Sequence, residues 1–94
     1  MKKINFERFE IYTSINHKEV IVQDCREGVA NIIYLNGSGV ACHALAMKIY
    51  KSDGATEFSD EEIALMKQFA ENFGNLLLVD SFDMNIKESE NIKA

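Results

Sequence analysis

The chain has 94 residues, 47% of them hydrophobic, with no proline and a formal net charge of −5. That length and apolar content suit one small globular domain with a single core. The dispersed Lys and Arg residues exclude a basic nucleic-acid footprint, and no run of about 18 apolar residues offers a membrane span. The charge is uneven: residues 1–52 carry a net +2 and residues 53–94 a net −7, an acidic half suited to a solvated surface or a basic partner.

Met1, Lys2 and Lys3 are followed by Asn5, Glu7, Arg8 and Glu10 where an export signal needs an apolar core, so a cytoplasmic location is expected. Cys25 and Cys42 are then expected to be reduced and to serve as small buried apolar residues. Residues 5–15 alternate, with Phe9, Ile11, Thr13 and Ile15 on one face and Arg8, Glu10, Tyr12 and Ser14 on the other. A period of two reads as a half-buried strand. Val20, Ile21 and Val22 resume with β-branched residues, so Asn16 and His17 are expected at the centre of a tight hairpin turn, with Asn tolerating a positive φ. Two strands alone are only marginally stable, which requires helices packed on one face.

Asp24 and Glu27 have the spacing of a capping box ahead of Val29, Ile32 and Ile33, which predicts a first helix over about residues 25–35. The β-branched content of residues 29–35, followed by Asn36-Gly37, admits a strand and hairpin instead. The helix is preferred because cap and apolar spacing agree, with Asn36-Gly37 as its stop. Ser38 can cap a second helix to about residue 52, with Ala41, Cys42, Leu45, Ala46 and Ile49 on its buried side. His43, Met47 and Tyr50 share another face at helical spacing and form a candidate interface.

Residues 58–74 carry the densest helix signals. Ser59 and Glu62 form a capping box, Phe58 and Ile63 a hydrophobic staple, and Asp60, Glu61 and Glu62 complement the helix dipole. Ile63, Met66, Phe69, Ala70 and Phe73 make one apolar stripe, Lys67 and Glu71 lie on the wet side, and Gly74 is expected as a left-handed stop. Beyond it, Phe82, Met84 and Ile86 alternate with Ser81, Asp83 and Asn85, which predicts a third strand joining the hairpin. The fold class expected is α+β: an N-terminal β-hairpin packed against about three helices with a C-terminal third strand, residues 1–86 forming one domain and 87–94 a polar, frayed tail.

Chemistry is weakly signalled. A calcium loop around Asp53-Gly54 would place Ile49 and Lys51 at ligand positions, where neither side chain can coordinate. Cys42 and His43, adjacent on a helix, point about 100° apart, and no Cys-x-x-Cys or His-x-x-x-His spacing supports zinc. No catalytic, cofactor-binding or metal-binding constellation is expected, and no nucleic-acid or membrane partner. The expected function is a non-catalytic cytoplasmic interaction or regulatory module, homodimeric or bound to another protein. One alternative is a small-molecule or anion binder using the amides of Gly37, Ser38 and Gly39 at a helix start. Another is an acidic inhibitor that imitates nucleic acid.

Overall fold

A computed structural model describes residues 2–88. The order is β1 (Lys2–Asn5), β2 (Phe9–Tyr12), β3 (Val20–Gln23), α1 (Arg26–Asn36), α2 (Gly39–Tyr50), β4 (Ala55–Phe58), α3 (Asp60–Phe73), α4 (Leu76–Asn85) and β5 (Lys87–Glu88). It is the α+β arrangement expected, with the strands in two small antiparallel sheets.

The alternating stretch expected as a strand over residues 5–15 is strand only at β2 and at Asn5, the last residue of β1 in the other sheet. β1 pairs with β4, Ile4 opposite Thr56, and with β5 on its other side. The chain then turns, with the Arg8 N–H donating to Asn5 Oδ1, and enters β2. β2 and β3 form the expected hairpin, Ile11 opposite Ile21. His17, rather than Asn16, takes the positive φ of 57° in its turn. Asn16 instead accepts from the Lys18 N–H through its side chain, an Asx turn that fixes the bend. The His17 ring stacks on Tyr12 at 4.0 Å, and its Nε2 lies 3.1 Å from Asp80 Oδ2, which offsets the strained backbone.

Residues 29–35 are helical. The cap of α1 differs from expectation: Cys25 occupies the N-cap position and no side chain caps the helix. Asp24 accepts from the Arg26 N–H and binds the Arg26 guanidinium, which removes it from the capping box. The Cys25 N–H donates to Phe6 O at 2.7 Å, tying the start of α1 to the β1–β2 turn. α1 and α2 pack together, joined through Gly37 and Ser38. Gly37 has an extended backbone, and its reason for being glycine is close approach: a Cβ there would meet Ile33 O at 2.7 Å and Cys42 Cβ at 2.9 Å.

α3 carries the capping box as read from the sequence: Ser59 Oγ accepts from the Glu62 N–H, and Glu62 accepts from the Ser59 N–H. Phe58 and Ile63 are both buried beside it. Gly74 ends α3 in an extended conformation, not the left-handed one, and a Cβ there would press on Ala70 O and Leu78 Cδ2. Partial burial works against ionisation of Glu62, but the Ser59 N–H and the Lys48 ammonium outweigh it and hold the carboxyl below its ordinary value of 4.5. A lowered folded value gives stability that is complete above the unfolded value and lost as pH falls through the folded one. Glu62→Gln is therefore expected to lose about 1 kcal/mol at neutral pH. Its stability in urea titrations will then fall less steeply than wild type between about pH 5 and pH 3. Equal slopes would remove the ionic role assigned to Glu62.

Residues 76–85, expected to include a strand joining the hairpin, form a fourth helix capped by Asn75, whose Oδ1 accepts from the Leu78 N–H. Its buried face is Leu78, Ser81, Phe82 and Asn85, a helical repeat with two polar members. The C-terminal strand is β5, and it joins β1 rather than the hairpin. Of the expected frayed tail, residues 87–88 are this strand and residues 89–94 lie outside the described residues.

At the centre of the core four rings meet: Phe6 from the β1–β2 turn, Phe9 from β2, Phe58 from the end of β4 and Phe82 from α4. Ile4, Ile33, Ile49 and Met66 surround them, each at most 1% exposed. Among the described residues no helix is long and apolar enough to cross a membrane.

Candidate functional site

α1 and α2 place their outward faces side by side, and the expected strip on α2 gains a partner there. Tyr34, in the last turn of α1, brings its ring to 5.7 Å from the His43 imidazole, tilted by 48°. Further along, Ala30, Asn31, Tyr34, Ala46, Met47 and Tyr50 line a shallow hollow of about 230 Å³. Tyr34 and Tyr50 are half exposed, at 54% and 52%, and Met47 is half-buried between them. His43, Met47 and Tyr50 therefore share one surface, as the helical spacing predicts. Tyr34 was missed because it belongs to a different helix, and only the packing of α1 on α2 brings it there. Rigid aromatic rings with polar tips and a pliable thioether are the side chains enriched at protein interfaces.

A second hollow of about 550 Å³, lined by Asp24, Arg26, Glu27 and Tyr50, continues this surface toward the end of β3. The Arg26 guanidinium lies 2.6 Å from Asp24 and also donates to Ser52 O. Its hydrogen bonds hold the Asp24 carboxyl below the ordinary carboxylate value.

Gly37, Ser38 and Gly39, the candidate anion contacts, line a hollow of about 400 Å³ with Tyr34, Cys42 and His43. Ser38 is the N-cap of α2, but its side chain makes no capping bond, and Gly39 has a φ of +88°. No Lys or Arg is among the described residues lining this hollow, so an anion there would meet the start of α2 and the His43 side chain.

The remaining candidate groups are held apart by their own partners. His17 is engaged with Tyr12 and Asp80, whereas Cys25 is buried and accepts from Gln23 Nε2. Burial pushes the Cys25 thiol up, away from the thiolate that nucleophilic or metal chemistry uses. Cys42 and His43 both border the hollow at the start of α2 but diverge beyond it: Cys42 also faces Leu65, Phe69 and Phe73 of α3, while His43 lies by Tyr34. No group of three or more His, Cys, Asp or Glu suited to a metal occurs among the described residues.

The β2–β3 hairpin has two edges with different fates. On the β2 edge the Glu10 N–H donates to Asn85 Oδ1 at 2.8 Å, Asn85 Nδ2 donates back to Glu10 O, and the Tyr12 N–H donates to Ser81 Oγ. Two side chains of α4 thus stand where a neighbouring strand would. The β3 edge pairs with no other described strand, and Val20, Ile21 and Val22 are 43–48% exposed along it. Comparison with protein-family models, curated proteins and solved structures found no match.

Proposed function

We propose that this chain is a non-catalytic interaction module of the cytosol that works by associating with a second copy of itself. The observation that carries the reading is the Tyr34–His43–Met47–Tyr50 face, where exposed aromatic rings and a half-buried thioether from two helices share one surface. Aromatic anchors of this kind contribute most of the energy at protein contacts. The free thiols of Cys25 and the half-buried Cys42 suit a reducing compartment. Glu62, at the start of α3, is occupied by Ser59 and Lys48 in folding contacts, which favours a structural reading of that acidic turn over an acid–base one.

Light scattering coupled to size exclusion tests the proposal. Wild type at about 50 µM is expected above the mass of one chain, in the micromolar range of weak pairs. Met47→Ser/Tyr50→Ser is expected to shift the population toward monomer without changing the circular dichroism spectrum. A wild type that remains monomeric would sink self-association. Unchanged association in the double variant would sink the role of this face.

A further inference from the structure

We propose that the open edge of β3 pairs antiparallel with β3 of a second copy about a two-fold axis through Ile21, joining two hairpins into one four-stranded sheet. This rests on the self-association reading and adds to its aromatic face on α1 and α2 a second contact between the copies, with its register. The edge is unprotected in the sense that matters for pairing. Natural edge strands are usually blunted by Lys, Pro, a bulge or a covering element. The β2 edge of the same hairpin is covered, by Ser81 and Asn85 of α4. At β3 the central residues are instead Val20, Ile21 and Val22, and no described strand lies beside them.

The register follows from which backbone groups face outward. The backbone groups of Glu10 and Tyr12 turn toward α4, so Phe9, Ile11 and Thr13 face β3. Their partners are Gln23, Ile21 and Glu19, the last through the Thr13 N–H donated to Glu19 O. By alternation, Val20 and Val22 present their N–H and C=O groups to solvent. A two-fold antiparallel pairing must match these outward groups to each other. With the axis at Ile21, Val20 meets Val22 of the second copy and exchanges both N–H···O bonds with it.

Side chains distinguish this register from its neighbours. It sets Lys18 of each copy opposite Asp24 of the other and Glu19 opposite the neutral Gln23. On one sheet face the two copies of Ile11 and Ile21 form a continuous isoleucine row, because Ile11 already lies opposite Ile21 within each hairpin. An axis at Val20 would place Lys18 opposite Val22, and an axis at Val22 would place Asp24 opposite Val20, so each sets a charge against a valine. Only the Ile21 axis matches apolar groups to apolar groups and positive charge to negative.

The test uses the full chain. Ile21→Cys places two thiols at the axis, in a non-hydrogen-bonded pair whose side chains are close. Mild oxidation is expected to give a covalent dimer with Ile21→Cys but not with Val20→Cys, whose symmetry mate lies diagonally across the ladder. Val22→Lys, at a half-exposed site that tolerates lysine in the monomer, is expected to raise the dimer dissociation constant roughly tenfold or more. A monomeric wild type removes both this inference and the self-association it rests on. A self-associating wild type whose constant is unchanged by Val22→Lys, or whose Ile21→Cys variant fails to cross-link, overturns the strand pairing and its register while leaving self-association intact.

Discussion

Phe6→Ala will cost the folded state about 3–5 kcal/mol, the range for removing a fully buried ring whose cavity cannot collapse. Phe6 is 0% exposed and sits in no strand or helix. Its ring stacks on Phe9 at 5.3 Å and meets Phe58 and Phe82 edge-on at 5.7 and 6.3 Å. Those rings come from β2, the end of β4 and α4, so one side chain in a turn holds three elements. Small domains have total stabilities of about 5–15 kcal/mol, so the loss is a large fraction of the whole. Urea titration is expected to show a lower midpoint with an unchanged slope. Ile15→Ser, at an apolar residue 91% exposed in the turn of the hairpin, provides the contrast and will stay within about 0.5 kcal/mol of wild type. A loss below about 1.5 kcal/mol for Phe6→Ala would contradict its central place in the core.

The same residue links core to surface. Phe6 O accepts from the Cys25 N–H at the start of α1, and α1 carries Tyr34 into the aromatic face. The β1–β2 turn therefore helps set where α1 begins.

Elements specified by nearby residues were legible in the sequence. α3 has its cap, staple and stripe within a few residues of one another, and the hairpin shows a period of two before its turn and a β-branched run after it. α1 was legible from its apolar spacing although its capping box is not made, since packing on α2 and α3 stabilises the helix without it. β1 and β4 were not legible. Each has four residues and a single buried side chain, Ile4 or Phe58, and they become strands only by pairing across fifty or more positions. The apolar strip on α2 could be read from one helix, whereas the surface it belongs to needed Tyr34 from another.

α4 was misread for a reason that leads to a further expected result. Ser81 and Asn85 are polar, so alternation placed them on a solvent face, yet Ser81 is 0% and Asn85 7% exposed. They lie one helical turn apart and present their polar atoms to the β2 edge, where Asn85 serves both the N–H and the C=O of Glu10. Its amide also donates to Ser81 O within the helix. Asn85→Ala removes the side chain and leaves two backbone groups of Glu10 without their partner in a half-buried site. At about 1–3 kcal/mol for each unsatisfied group, less whatever water can reach, the expected loss is about 3 kcal/mol. Asn85→Leu will lose as much although it keeps the volume, which separates the hydrogen bonds from packing. Asn85→Asp retains the acceptor for the Glu10 N–H but turns an oxygen toward Glu10 O and Ser81 O, and will also destabilise at neutral pH. Hydrogen exchange at the Glu10 amide gives the local readout, with faster exchange in Asn85→Ala than in a surface variant of equal global stability. Unchanged protection there would show that α4 does not seal this edge. The consequence reaches the other strand: with β2 sealed by α4, β3 is the one edge of the hairpin left to pair, whereas opening β2 would give the hairpin two open edges and a route to uncontrolled assembly.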